Sequence, residues 1–272
     1  MQDYSIFAER ERSGWTNPSI VEAYVSLFGP VTDEVGAAIV DRVGKTGREV
    51  LDLCCGQGTL TRMLSDAGAK VTGLDFSPDM LARAAKVAPA AELHQGDAAA
   101  LPFEDARFDG VVCNFGMMHL PDQPKALGEI RRVLKPEGTF VMATWVGPEA
   151  SPAFGVVFGA IKAHADFSAA PPQPDLFAFA RPETAGQMMA EAGLEMAAHE
   201  VVTPAWELSS PEELFEIFLN ATVGAAMLIK SQTPAVIEAI RAQITSAVAG
   251  GFAEGAGYRV PVPVALITAR RA

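Results

Sequence analysis

The sequence predicts an α/β protein built on a doubly wound, mostly parallel sheet, and three observations within one stretch carry that reading. Val50 to Leu53 is a short apolar run, as a strand covered on both faces requires. Gly56 and Gly58 follow at once, a turn with no Cβ atoms to hold backbone away from a ligand. Then come Leu60, Met63, Leu64 and Ala67 at helical spacing, a stop at Gly68, and a second strand ending on an acid, Asp75. Strand, glycine turn, helix, strand, acid is the first half of a nucleotide-binding crossover.

With 272 residues, 49% of them hydrophobic, the chain can hold one large α/β domain with an inserted or appended lobe. Its formal charge of −12 and pI of about 4.8 repel polyanions, so no nucleic-acid partner is expected. The densest basic cluster, Arg131-Arg132 with Lys135, reads as the last turn of a helix complementing its dipole. No run of about 18 apolar residues occurs, and Met1-Gln2-Asp3-Tyr4 does not read as the start of a signal peptide. No membrane partner is therefore expected, and a cytoplasmic enzyme is the default. Three cysteines, two of them adjacent, make no disulfide framework, and Cys113 alone is no metal set.

In chain order, Asn17-Pro18 caps a helix whose apolar face is Ile20, Tyr24, Leu27 and Phe28. Asp33 to Val43 is a second helix, ending at Gly44 before the first strand. After Asp75, Ser77 is an N-cap, Pro78 suits the first turn and Asp79 favours the dipole. Ala91 to Gln95 is a third strand closed by Gly96-Asp97-Ala98, and Phe108 to Asn114 a fourth. Phe115 to Leu120 lies just past that strand's end, where ligands bind in such sheets. Asp122 caps a helix carrying Leu127, Ile130, Val133 and Leu134, and Lys135 to Gly138 turns into the strand Thr139 to Trp145. From Val146 to Ala180 the composition shifts to Pro, Ala and Phe, punctuated by Pro171-Pro172-Gln173-Pro174, as in an insertion. Pro182 to Ala192 is a helix stopped by Gly193, and Val201 to Leu208 a strand. Ser210-Pro211-Glu212-Glu213 is a capping box, Thr233-Pro234 starts another helix, and Val262 to Thr268 is a final strand antiparallel to the one near Val201.

The stretch Glu49 to Asp75 resembles motifs I and II of the class I S-adenosylmethionine-dependent methyltransferases, of the small-molecule type. Gly96-Asp97-Ala98 resembles the family's next motif, and Arg132 to Gly138 is close to a common structural pattern in it. The familiar portion covers about half the chain. The resemblance implies a Rossmann-like seven-stranded sheet with one antiparallel strand in a reversed final hairpin, and S-adenosylmethionine as cofactor. It implies that Asp52, Cys54, Cys55, Gly56 and Gly58 bind the methionine end, with Cys54 standing where the family has a glycine. Asp75 would take the ribose, while Phe76, Met80, Gly96, Asp97 and Ala98 would hold or border the adenine. Asn114 and Phe115 lie at the end of the fourth strand beside the cofactor. A dinucleotide fingerprint is the competing reading, but its third small residue is replaced by Thr61. Asn114-Phe115-Gly116 also lacks the Pro-Pro of amide- and adenine-directed N-methyltransferases.

The resemblance divides the chain into an N-terminal helical lid (1–48), a cofactor-binding core (49–146), a cap insertion (147–180) and a C-terminal part of the core (181–272) with a helical insertion at 209–251. Trp15 and Tyr24 would line the lid; the alternative is a helix packed on the sheet edge. Methyl transfer from a sulfonium is an in-line displacement that can rest on positioning and desolvation. His119 is the first candidate base, against the alternative that it caps the next helix or packs near the cofactor. His164, in the insertion, is the second, and His94 and His199 read as structural. The expected function is methylation of a small, fairly apolar molecule on oxygen, carbon or nitrogen, and a homodimer is compatible with these features. A non-catalytic S-adenosylmethionine-binding protein and an NAD-dependent oxidoreductase are the alternatives.

Overall fold

The computed structural model describes residues 3–43, 47–168 and 170–272. Met1 and Gln2, and the helix stop expected at Gly44, lie outside the described residues. Three helices come first: α1 (Ser5–Trp15), α2 (Pro18–Leu27) and α3 (Gly29–Val43). The crossover follows as β1 (Glu49–Leu53), α4 (Thr59–Asp66), β2 (Lys70–Asp75), α5 (Pro78–Val87) and β3 (Glu92–Gln95). Next are β4 (Phe108–Asn114), α6 (Gln123–Val133), β5 (Leu134–Trp145), α7 (Pro152–His164), α8 (Pro182–Glu191), β6 (Leu194–Val202) and β7 (Ala205–Leu208). The chain closes with α9 (Glu213–Ala221), α10 (Gly224–Lys230), α11 (Pro234–Gly251), β8 (Ala253–Glu254), β9 (Gly257–Pro261) and β10 (Val264–Arg271).

Two compact units result. One comprises Thr32–Trp145, Pro174–Val202 and Val264–Ala272. It holds a seven-stranded sheet of order β3-β2-β1-β4-β5-β10-β6, in which β10 alone runs antiparallel, against both β5 and β6. The expected fold class is therefore observed. Strand alternation sends Leu51, Leu53, Val111, Cys113, Phe140, Met142, Ile267 and Ala269 to one face, into a core with Leu127, Ile130 and Val133 of α6 and Met189 of α8. Against the other face lies α3. A Cβ on Gly110 of β4 would meet Val43 at 2.4 Å, and Asn114 at the far end of β4 bonds the Thr32 carbonyl. Helix α3 thus runs back along β4 and brings its first turn to the strand's carboxyl end.

The other unit comprises Met1–Val31, Val146–Gln173 and Thr203–Pro263. It packs helices around an aromatic cluster and carries a small antiparallel sheet, β7-β9-β8. Phe28 meets Trp206 edge-on at 5.2 Å and Phe218 at 6.0 Å, and Phe154 meets Phe218 at 5.4 Å.

Several elements differ from the sequence reading. Val201 to Leu208 is two strands in two sheets, broken at Thr203-Pro204, where a proline has no N–H to continue a ladder. The hairpin β8-β9, turning through Gly255 at φ +59°, was not anticipated, nor was α1. Helix α7 sits inside the Pro/Ala/Phe stretch, with Ser151 accepting from Phe154 N and Pro152 in the first turn. Helix α3 starts at Gly29, four positions before Asp33. The expected capping box at Ser210 is not made: α9 begins at Glu213 without a side-chain cap, and the Glu213 carboxylate accepts Ser209 N at 3.2 Å instead. Lys135 to Gly138 is a kink within β5, taken by Glu137 at φ +61°.

Arg132 does more than complement a dipole. Its guanidinium donates to Glu129 at 2.7 and 2.8 Å, to Asp105 at 2.8 Å and to the carbonyls of Phe103 at 2.7 Å and Leu101 at 3.0 Å. It thereby pins the 101–106 connection to α6. Truncation would strand the two carbonyls and Glu129 together, so Arg132→Ala is expected to cost about 2 kcal/mol in urea unfolding. Asp105→Ala, removing a largely exposed partner, should change stability by less than about 1 kcal/mol.

Candidate functional site

The site grows from the turn between β1 and α4. Asp52 is buried on β1 and accepts the Thr61 hydroxyl at 2.6 Å. Cys54 holds φ +58°, a left-handed conformation that costs a non-glycine residue roughly 1 kcal/mol. Gly56 (φ +54°) and Gly58 (φ +86°) follow, and a Cβ on Gly58 would strike the Ala84 Cα at 2.8 Å. Only a glycine lets α4 start this close to α5.

Asp75, buried at the carboxyl end of β2, is fastened to that turn. Its Oδ2 accepts Gly56 N and its Oδ1 accepts Ser77 N, each at 2.9 Å. The Phe76 N–H draws on the carboxyl as well, and the acceptor capacity left over suits a hydroxyl-bearing ligand. Gly96 N bonds the Asp75 carbonyl at 3.0 Å, which brings the Gly96-Asp97-Ala98 corner alongside. Asp97 is exposed and accepts Ala99 N at 2.8 Å, while Ala98 is buried. Phe76 is half-buried, and the Met80 sulfur lies 3.9 Å from where a Gly56 Cβ would stand.

At the end of β4, Asn114 Nδ2 donates to the Thr32 carbonyl at 3.1 Å, leaving Oδ1 buried without a hydrogen-bond partner. Phe115 holds φ +56°, and its ring stacks on Trp145 with centroids 3.9 Å apart. The ring is thus committed to the interior, so a ligand would meet Phe115 through its backbone. His119 ends a short 3-10 turn, half-buried, with its N–H on the Gly116 carbonyl. Cys55 is buried with its sulfur 3.1 Å from the Cβ position of Gly73, and its N–H bonds Leu74. It too offers a ligand backbone alone. The Cys113 thiol beside it, together with burial, pushes the Cys54 thiol well up, and burial does the same for Cys55, so neither is a ready thiolate.

Three expected residues lie in the helical unit. Trp15 is buried with its Nε1 on Glu11 at 3.0 Å and meets Tyr24 edge-on at 5.0 Å. His164 is exposed at the last turn of α7, paired with Gln243 at 2.8 Å, a surface contact rather than a lining one. Sequence reasoning missed Thr61 as the partner of Asp52, and missed Thr32 and Asp33. Asp33 is half-buried against the Thr59 hydroxyl. The signal for Thr61 lies in its spacing, since the first turn of α4 sets it over the strand end beside Asp52.

Residues 51–142 match the family described as a methyltransferase domain. The demethylmenaquinone methyltransferase of Renibacterium salmoninarum is 42% identical over 115 residues, 42% of this chain and 48% of that one. Its namesake in Thermus thermophilus is 43% identical over 120 residues, 42% of this chain and 54% of that one. The chain spans about half the length of the curated relatives it matches. A Bacillus halodurans protein assigned as a methyltransferase superposes with TM-score 0.59 and 23% identity, over 88% of this chain and 99% of that one. A Haloferax volcanii protein so assigned, solved with a methyltransferase activator, gives TM-score 0.60 and 19% identity over 97% of each chain. At these identities the solved structures show a shared fold. Residues 51–142 thus resemble a methyltransferase domain, and the chain shares its fold with solved structures assigned as methyltransferases.

Burial pushes the Asp52 carboxyl up to about 7, against the pull of Thr61 and with a further push from Asp75. The folded chain therefore keeps a proton that the unfolded chain loses near pH 4, and Asp52's contribution to stability falls as pH rises from about 4 to about 7. Asp52→Asn preserves an acceptor for Thr61 without the charge. It should make the unliganded protein more stable than the wild type above pH 7, with the gap closing toward pH 4. Urea titrations across that range decide it; a gap independent of pH would mean Asp52 is not the titrating group.

Proposed function

We propose that this protein transfers the methyl group of S-adenosylmethionine to a small, fairly apolar acceptor. The observation that carries the reading is Asp75, fixed between Gly56 N and Ser77 N at the carboxyl end of β2, where a nucleoside's ribose diol would lie. Asp52 and the backbone of Cys54 to Gly58 would hold the amino-acid tail. Phe76, Met80 and the Gly96-Asp97-Ala98 corner would hold the adenine. Asp52 and Asp75 are buried carboxylates that accept from a hydroxyl and from backbone amides, which suits a cationic ligand and opposes a pyrophosphate. The cofactor supplies an electrophilic methyl group on a positively charged sulfur. The chain's part is to align it and keep water out, with His119 taking a proton where the acceptor carries one.

The curated relatives match about two fifths of the chain, and the family match covers residues 51–142. We assign the choice of acceptor to the remaining segments, 1–48, 147–180 and 209–251. The relatives' name puts reduced quinones first among acceptors to try, ahead of phenols and amines.

Calorimetry should show binding of S-adenosylmethionine and of its demethylated product, and none of NAD. Turnover on reduced quinones, phenols and amines should then reveal transfer to at least one class, with His119→Gln lowering kcat about 100-fold for a protonated acceptor. Tight nucleoside binding without any methyl transfer across the panel would defeat the enzymatic reading, and preference for NAD would defeat both.

A further inference from the structure

Cys54 sits in left-handed backbone, φ +58°, where a glycine would carry no strain. That conformation decides where its side chain goes. Leu53 and Cys113 both point into the core beneath α6, so simple strand alternation would send Cys54 to the opposite face. Instead Cys54 packs against the same core as Cys113.

The two cysteines stand at neighbouring strand ends. β1 and β4 pair in parallel with Asp52 beside Val112, and strands so paired run about 4.8 Å apart, within the Cα separations a disulfide bridges. Gly116, just past β4, measures the gap between the side chains. A Cβ there would lie 2.5 Å from the Cys54 Cβ, 2.9 Å from the Cys54 sulfur and 2.7 Å from the Cys113 sulfur. One point thus borders both sulfurs, and only a glycine leaves that space to them. Cys55 is not a competitor. Its sulfur lies 3.1 Å from the Cβ position of Gly73 on β2, across β1 from β4. Cys54 is half-buried while Cys113 is buried, so an oxidant meets Cys54 first.

We propose that Cys54 and Cys113 close into a reversible disulfide under a hydroperoxide, and that closure weakens ligand binding at the turn. The Cys54 sulfur attacks one peroxide oxygen and becomes a sulfenic acid, releasing water. The Cys113 sulfur then displaces a second water as the S–S bond forms, so two thiols are oxidised and one peroxide is reduced to two waters. The Cys113 thiol is the first cause of the raised Cys54 pKa, as two sulfurs in contact require, and it makes closure slow. Cys113 lies in a strand paired on both sides, to β1 and to β5, so the adjustment falls on Cys54 and its turn. That turn carries the bonds from Cys55 N to the Leu74 carbonyl and from Gly56 N to Asp75. The bond itself stands apart from the S-adenosylmethionine reading above; its effect on affinity rests on that reading.

The full chain is treated with hydrogen peroxide, then alkylated under denaturing conditions and weighed. Of the three cysteines, one should take up the label after oxidation and all three after dithiothreitol. Tryptic peptides Glu49–Arg62 and Phe108–Lys125 should be joined. Calorimetry should show the oxidised chain binding S-adenosylmethionine about tenfold more weakly, as expected for one lost hydrogen bond, with dithiothreitol restoring the affinity. Methionine oxidation would not be reversed in that way. Cys113→Ala and Cys113→Ser should bind S-adenosylmethionine and lose both the link and the sensitivity to peroxide. A link from Cys54 to Cys55, or oxidation to sulfinic acid with no link, would overturn the assignment. A Cys54–Cys113 link that leaves affinity unchanged would defeat the switch. If the reduced chain binds no S-adenosylmethionine, the parent reading fails, while the masses still decide whether the bond forms.

Discussion

The bond from Gly56 N to Asp75 is the contact on which the site depends. It closes the turn after β1 onto the end of β2, beside the bond from Cys55 N to the Leu74 carbonyl. A carboxylate accepting two backbone N–H groups is held in one orientation, so its remaining lone pairs point in fixed directions before any ligand arrives. Burial works against that arrangement by raising the pKa of Asp75, and the backbone donors pull it back down. The balance favours a turn that is shaped in advance, at some expense in stability, over one that forms on binding.

Strain is concentrated beside it. Cys54 and Phe115 both adopt left-handed backbone without being glycine, one after β1 and the other after β4. Gly116 lies between them, and a Cβ there would fall 2.5 Å from the Cys54 Cβ and 2.7 Å from the Cys113 sulfur. The two strained corners are therefore packed against each other with no room for relaxation. Phe115 is held over by its stack on Trp145, which a change to ordinary backbone angles would break. Adjacent strand ends are locked in this way at the one edge of the sheet where ligands bind.

How much of this was legible depended on the range of the interaction. Features set by neighbours in the chain read well: Ser77 and Asp122 as caps, Gly68 and Gly193 at positive φ after their helices, and Asp75 at the end of its strand. Features that need two distant segments did not. Arg132 looked like one more basic residue in a last helical turn, because its acceptors at Leu101, Phe103 and Asp105 lie about 30 positions earlier in sequence. The break at Thr203-Pro204 is hidden by strand-favouring residues on both sides, Val201 and Val202 before it and Trp206 after it, which suit either of two sheets. Asp33 was visible only as a helix residue, since nothing local tells which strand end the helix will cross.

Thr61 shows how a departure from one pattern can be the key to another. In a dinucleotide site the third small residue lets the helix approach the strand and leaves its positive N-terminal end open to a pyrophosphate. Here a threonine occupies that position, is fully buried, and spends its hydroxyl on Asp52. The helix still approaches, because Gly58 supplies the close contact with Ala84. What changes is the charge beneath the turn: a carboxylate is retained in the interior, stabilised by a hydroxyl rather than by a base. A pyrophosphate would face that carboxylate and Asp75 together, whereas a cation would relieve both. On the proposed reading, the same backbone crossover would exchange an anion site for a cation site through side chains that leave the fold untouched.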